Sequence, residues 1–322
     1  MKALIYKEKN QPLALEDIAK PVPEKGQKLV KIKAAALNHR DVWITKGMYP
    51  GLKSGVIVGS DGAGEVDGRP VIINPSMGWG PNPDYQAKGY QILGMPSNGT
   101  FAEYLAIGQQ QLYDKPSHLS WEEAAALPLG GLTAYRALFT KGKLQPGEKV
   151  LISGVGGGVA LFAFQFALAA GAEVYVTSGK TEKIDKAVSR GAKGGANYKS
   201  EDWAEKLKEQ AKGFDVIVDS AGGDGFANFL KLARPSARIV TYGGTRGKYT
   251  GLSPQVIFWK QLSILGTSMG NDQEFADMVD FVGKHRIKPV VDATFSLEES
   301  AAATERMDKG LQFGKIVFQV DV

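Results

Sequence analysis

The stretch "KVLISGVGGGVALFAFQFALAAGAEVYVTSGKTEK", Lys149 to Lys183, decides the fold. It opens with an apolar run of strand length, and the glycines that follow allow a tight turn. Next, "VALFAFQFALAAG" has helical length and almost no polar side chains. A second apolar run, "EVYVTS", completes a strand, turn, helix, strand unit. A helix this uniformly apolar is buried against a sheet. Such a turn offers backbone N–H groups at a helix N-terminus to a pyrophosphate, and its glycines let the backbone approach closely. The spacing is unusual. With Ala160 as the last small residue, Gly157 and Val155 take the earlier places, giving V-x-G-x-x-A with further glycines at 154, 156 and 158. Taken alone, a tight turn between a buried strand and a buried helix explains these glycines as well as a cofactor does. The strand before the turn and the buried helix after it favour the dinucleotide.

The end of the next strand bears on which dinucleotide is held. NAD-binding chains place an Asp or Glu there for the ribose hydroxyls. Here Ser178 stands eighteen residues after Ala160, with Lys180 and Lys183 behind it. No carboxylate repels a 2′-phosphate, and a hydroxyl with two cations favours NADPH on charge grounds. The competing explanation is that these lysines are the solvated start of the helix "TEKIDKAVSR".

Downstream, the runs "GGANY", "FDVIVDS", "RIVTYG" and "SILGTS" alternate with amphipathic segments such as "EDWAEKLKEQA". That alternation predicts a parallel sheet with helices on both faces. Upstream, residues 1 to about 120 hold short runs, "KALIYK", "KLVKIKAAAL" and "RPVIIN", punctuated by Gly and Pro, the texture of an antiparallel β domain. "SWEEAAALPLGGLTAYRALF" begins with a capping-box pattern, Ser120 and Glu123, and marks the passage between the two. After the helical "DQEFADMVDFVGKH", the remaining chain reads as a helix between strands that return to the first domain. The resulting class is α/β, with one domain at 1–122 completed by 290–322 and a doubly wound parallel-sheet domain at 123–289.

Across 322 residues, 39 Lys and Arg face 34 Asp and Glu, a formal net charge of +5 without basic blocks. Nucleic acid is therefore not an expected partner. There is no Cys, which removes disulfides, thiolate nucleophiles and Cys-based zinc sites. His39, His118 and His285 lie in unrelated segments, and "HRD" at 39–41 supplies too few ligands for a metal, so none is expected. A pyrophosphate contact by His39 is left open. Glu122 and Glu123 suit the first turn of a helix. The start, "MKALIYKEKNQPL", reads as neither signal peptide nor membrane span, and a cytoplasmic location is expected.

Several stretches carry a resemblance: "ALNHRDVWITKGMYP" (36–50), "VGSDGAGEV" (58–66), "GTFAEYLAI" (99–107), "EEAAALPLGGLTAYRAL" (122–138), the glycine turn, "GANYKSED" (195–202), "FDVIVDSAGG" (214–223), "RIVTYGG" (238–244) and "FGKIV" (313–317). With these motifs the chain resembles the medium-chain dehydrogenase/reductase superfamily, in its zinc-free, quinone-oxidoreductase-like branch, over almost its whole length. The resemblance implies a GroES-like β domain plus a Rossmann domain, and a homodimer through the strand "SILGTS". In the zinc alcohol dehydrogenases of the superfamily a Cys, a His and a Cys bind catalytic zinc, and the corresponding places here are Asn38, Ser60 and Leu129. The lobe corresponding to their structural zinc site, 74–94, has no cysteine. The resemblance places Gly156, Gly157, Gly158 and Val159 at the pyrophosphate and Ser178, Lys183 and Tyr198 at the 2′-phosphate. It places Asn38 and Thr133 beside the nicotinamide and its ribose, Tyr242 in the loop lining the cofactor cleft, and Lys315 as a cofactor contact at the domain junction.

The function these readings imply is hydride transfer from NADPH to a quinone or an α,β-unsaturated carbonyl without zinc. Asn38 and Tyr49 are the candidate catalytic residues, with solvent competing as proton source. Trp79 and Tyr85 either line the acceptor pocket or stack within their own loop. Two alternatives stand beside this one: an NADPH-binding sensing or structural protein with little turnover, and an alcohol dehydrogenase-like enzyme acting on small aldehydes or alcohols.

Overall fold

A computed structural model describes residues 1–320. The six apolar runs form one parallel sheet in the spatial order Gly194–Asn197, Glu173–Ser178, Lys149–Ile152, Phe214–Asp219, Ala233–Thr241, Ser263–Gly266. In chain order that is 3-2-1-4-5-6, the doubly wound Rossmann arrangement that the sequence predicts. The order reverses between Lys149–Ile152 and Phe214–Asp219, and ligands of such sheets bind outside the strand carboxyl ends at that point. Val150, Leu151, Ile152, Val216, Ile217 and Val218 are all fully buried. Helices on both faces leave these strands no wet side, which is why they read as continuous apolar runs. On the helix Gly158–Ala169, Phe162, Phe164 and Phe166 are buried, each worth about 1.5–3 kcal/mol of transfer free energy.

The other sheet is built around the long strand Gln27–Ala36. One of its edges pairs with Asp61–Val66, and the other pairs first with Tyr104–Gly108 and then with Lys315–Gln319, all antiparallel. Arg69–Ile73 and Leu112–Asp114 continue the sheet beyond Asp61–Val66, while Val291–Phe295 runs parallel to Lys315–Gln319. The chain end thus returns to the first domain, with Val317 opposite Ala36 and Phe318 opposite Ala35. Alternate residues of these strands, Val30, Ile32, Ile316 and Phe318 among them, fill one apolar core in which the Phe318 ring meets Phe101 edge-on at 4.9 Å. Beneath that core, Lys315 Nζ donates to Asp61 Oδ2 at 2.8 Å, joining residues 254 positions apart.

The two compact units are Met1–Leu132 with Gly270 onward, and Thr133–Met269. These limits differ from the sequence-based 122/123 and 289/290. Trp121–Ala126 has the expected Ser120 and Glu123 capping box, and its alanines are buried on the strands Gln27–Ala36 and Asp61–Val66. Asp272–His285 also belongs to the first unit: Asn74 Nδ2 donates to Asp272 Oδ1 at 2.9 Å, and the Phe275 ring lies 4.7 Å from Tyr113. An amphipathic helix shows the same period whichever sheet it covers, so periodicity alone does not assign it. Among the described residues, no helix is long and apolar enough to cross a membrane.

The buried pair makes a stability prediction. Lys315→Met leaves Asp61 charged and unpaired, and should cost about 3–5 kcal/mol in guanidinium unfolding of the first unit. Adding Asp61→Asn should recover part of that loss, and a double variant no more stable than Lys315→Met would count against the pair.

Candidate functional site

In the second unit, the turn after Lys149–Ile152 is held from both sides. Gly154 N–H donates to Thr177 Oγ1 at 3.2 Å, and Val155 N–H donates to Thr177 O at 2.8 Å. Ser153 bonds through its hydroxyl to Asp219, whose Oδ2 also accepts from the N–H groups of Ala221, at 3.2 Å, and Gly222, at 2.8 Å. Gly156 has φ +123°, and a Cβ added there would lie 2.7 Å from Lys183 Cδ, so the Lys183 stem lies along the turn. A Cβ on Gly157 would meet nothing within 4 Å. The turn therefore has an open side at the N-terminus of a twelve-residue helix, whose first N–H groups lack intrahelical partners.

Ser178 ends its strand and accepts weakly from Lys180 N–H at 3.4 Å. Tyr198 N–H donates to Ser178 O at 3.1 Å, and a Cβ on Gly179 would come within 2.7 Å of the Tyr198 hydroxyl. Glycine at 179 lets that phenol close over the strand end. The structure thus gathers Gly156, Gly157, Gly158, Val159, Ser178, Lys183 and Tyr198 at one end of the sheet. It adds Arg246, which the sequence reading passed over, with its guanidinium 5.3 Å from the Tyr198 ring centroid. Tyr242 N–H donates to Asp219 O at 3.0 Å, and burial pushes its phenol above the ordinary range despite a bond to Ser220. Thr133 is buried, its hydroxyl 3.8 Å from the Met269 sulfur.

In the first unit, Asn38 caps the helix His39–Thr45. Its Oδ1 accepts from Lys315 Nζ at 2.7 Å, and its Nδ2 donates to Asp61 Oδ2 at 2.9 Å. Asp61 Oδ1 accepts from Leu129 N–H at 2.7 Å. Both ends of the Asn38 amide are therefore committed within the protein, and Lys315 spends its donors on the same network. Arg40, two residues on, is 7% exposed and bonds through Nη1 to the Ser60 hydroxyl and, at 2.7 Å, to Leu93 O. Its Nε donates to the Tyr49 hydroxyl at 3.2 Å. Sequence reading weighed "HRD" for metal and His39 for a pyrophosphate contact, and gave Arg40 no role. The available signal was a set of charges inside the apolar frame of "ALNHRDVWI", a pattern that marks buried, paired groups.

Burial pushes the Asp41 carboxyl from its ordinary 3.8 up to about 6, against the pull of Arg40 and of the Asn38 N–H on Oδ2 at 2.8 Å. His118 meets Ile287 O, His285 stacks on Phe281 and His39 is exposed, so the histidines form no cluster. Trp79 is buried edge-on against Tyr90 and donates to Asn82 O, which is stacking within its own lobe, whereas Tyr85 is exposed.

Residues 24–117 match the alcohol dehydrogenase GroES-like domain family, and residues 158–284 match the zinc-binding dehydrogenase family. A zinc-type alcohol dehydrogenase-like protein of Leptosphaeria maculans is 35% identical, the alignment spanning 96% of this chain and 95% of the relative. The quinone oxidoreductase of Mus musculus is 30% identical over 91% of this chain and 89% of its own. A crystal structure described as an NAD-dependent alcohol dehydrogenase superposes with a TM-score of 0.93 at 34% identity, covering 100% of both chains.

The second family name implies zinc, and the residues at the corresponding places do not fit it. Asn38, Ser60 and Leu129 offer an amide, a hydroxyl and an alkyl group. The first two are already bonded to Lys315, Asp61 and Arg40, and two fixed cations lie where a third would have to enter. A nicotinamide dinucleotide, by contrast, fits the open glycine turn and the hydroxyl and cations at Ser178.

Asp41 gives this site a pH signature. The folded state holds the Asp41 proton more tightly than the unfolded chain, so its contribution is complete below about pH 4 and is lost as pH rises through about 6. Asp41→Asn keeps an acceptor for Asn38 N–H and removes the titration. Its stability relative to the parent should rise between about pH 4 and 7 and then level off. Parallel stability profiles for the two proteins would contradict this assignment.

Proposed function

The chain belongs to the medium-chain dehydrogenase/reductase superfamily as an NAD(P)-dependent oxidoreductase, and on that premise we propose that it reduces a quinone or an α,β-unsaturated carbonyl with NADPH and without zinc. The observation that carries this reading is the network of Lys315, Asp61 and Asn38, an internally neutralised ion pair at the place the resemblance gives to a Lewis acid. Without a Lewis acid to hold an alkoxide, simple alcohol oxidation at such a site loses its main electrostatic support. A conjugated acceptor spreads its negative charge and asks only for hydrogen-bond donors. A relative named quinone oxidoreductase adds weight to that choice.

When bound, the nicotinamide supplies hydride. The chain's own part is to hold and to balance charge. The N–H groups at Gly157, Gly158 and Val159 take the pyrophosphate. Ser178, Lys183 and Tyr198 take the 2′-phosphate, which a carboxylate at 178 would repel. In the first unit, Tyr49 is the proton donor. Asn38, with both amide ends engaged, acts as a spacer that keeps Lys315 and Asp61 in register.

Titration followed by nicotinamide fluorescence tests the cofactor half. NADPH should bind more tightly than NADH, and added salt should weaken the preference. Lys183→Ala should cost NADPH about tenfold in affinity and leave NADH nearly unchanged, and Ser178→Asp should reverse the order. Equal affinity for the two cofactors in the parent protein would remove the NADPH assignment. The acceptor half is tested by steady-state rates with quinones, enones and small alcohols, with and without a chelator. Activity on alcohols that the chelator abolishes would overturn it.

A further inference from the structure

Arg40 belongs to the first unit's network, and the proposed function gives its guanidinium no part. Its guanidinium is buried, yet every acceptor it bonds is neutral. Nη1 reaches the Ser60 hydroxyl and Leu93 O, Nη2 reaches Met95 O at 3.4 Å, and Nε reaches the Tyr49 hydroxyl at 3.2 Å. The nearest carboxylate oxygen, on Asp41, stands at 3.8 Å. Lys315 is different, because Asp61 contacts its ammonium directly. A buried cation is costly unless it is paired, and this one is held by dipoles in a fixed place. The Arg40 fork also stands 4.6 Å from the centroid of the Tyr49 ring, so the phenol is fixed in direction as well as bonded at oxygen. In that bond Tyr49 is the acceptor, and its own hydrogen is left for donation elsewhere.

We propose that Arg40 is a positioning residue for proton delivery: it aims the Tyr49 hydroxyl and holds the charge that the phenol acquires on giving up its proton. This rests on the reductase reading above. A bound reduced nicotinamide would supply hydride to the acceptor's β-carbon, and the carbonyl oxygen would then carry enolate charge. The Tyr49 O–H bond breaks, the proton passes to that oxygen, and the phenolate left behind sits against the Arg40 N–H. A proton from solvent would restore the phenol, and the enol would pass its O–H proton to solvent as its α-carbon takes one up, giving the saturated carbonyl compound. With a quinone, the same transfer takes the first hydroquinone oxygen to its protonated form. A cation already in place, bonded to fixed dipoles and with its nearest carboxylate oxygen, on Asp41, at 3.8 Å, needs little reorganisation when the charge appears.

The test is a double-mutant cycle of Arg40→Gln and Tyr49→Phe, together with Arg40→Lys. It reads kcat and KM with p-benzoquinone and with methyl vinyl ketone, and the melting temperature of each variant. Tyr49→Phe and Arg40→Gln should each lower kcat roughly a hundredfold and leave KM for NADPH nearly unchanged. The double variant should be no slower than either single one. Arg40→Lys should recover part of the rate, since the charge remains and only the fork is lost. If Arg40→Gln does not fold, the cycle is run with Arg40→Lys, whose smaller loss should vanish once Tyr49→Phe is also present. Losses that multiply, or a Tyr49→Phe enzyme of full rate, overturn the proposal and leave the reductase standing. A parent enzyme that transfers hydride to neither acceptor overturns both.

Discussion

One carboxylate, Asp61, fixes the first unit's site. It is fully buried, and its oxygens accept from Lys315, from the Asn38 side chain and from the N–H of Leu129, which come from the last strand, the start of the helix His39–Thr45 and the helix Pro128–Tyr135. Four segments far apart in the chain thus meet on two atoms. A buried ion pair is not in itself a source of stability, because desolvation offsets much of the attraction. What it gives here is register. Asn38 has one place to stand, the helix it caps has one starting point, and Arg40 emerges from that helix toward Ser60.

Nearby glycines support the same geometry. A Cβ on Gly99 would run into the backbone of Gly59 and Gly94, so three chain segments lie in backbone contact beside Ser60. That close approach leaves Leu93 O and Met95 O as acceptors that side-chain motion cannot move, and both are used by Arg40. The second unit works from different material. Its turn presents backbone N–H groups rather than side chains, and on the proposed reading the strand end at Ser178 is where side chains would select between dinucleotides. Backbone recognition of a pyrophosphate tolerates changes of sequence, so the altered spacing Val155, Gly157, Ala160 keeps the turn while departing from the common pattern.

This difference also decides what the sequence let one read. The parallel sheet was legible because strands buried on both faces leave continuous apolar runs, and the capping box at Ser120 and Glu123 was legible because it is local. The glycine turn and Ser178 lie within one strand, helix, strand unit, so spacing along the chain reflects spacing in space. Arg40 was not legible in that way. Its partners on Leu93 and Met95 are carbonyl oxygens more than fifty residues away, and any residue type offers a carbonyl. Lys315 was legible only by resemblance, since the partners of its ammonium, Asn38 and Asp61, lie more than 250 residues away. The helix Asp272–His285 was legible as a helix but not in its allegiance, which rests on Asn74 and Tyr113.

The two cations of the first unit divide what a metal would do in one place. A metal ion binds an oxygen directly and holds full negative charge on it. Lys315 offers no such help, because Asp61 already cancels its charge. Arg40 is balanced less closely, with Asp41 at 3.8 Å, and is walled in by Ser60 and two carbonyls, so on the proposed reading it would act outward through the Tyr49 phenol. A charge lent through a phenol suits an acceptor that needs it briefly and in part, as a conjugated carbonyl or a quinone does while its electron pair is redistributed. An isolated alkoxide concentrates its charge on one oxygen, which this arrangement leaves without a direct partner. On the proposed reading, the side chains that do not fit a zinc ligand set would also bias the chemistry, through where their charges are balanced rather than through how many there are.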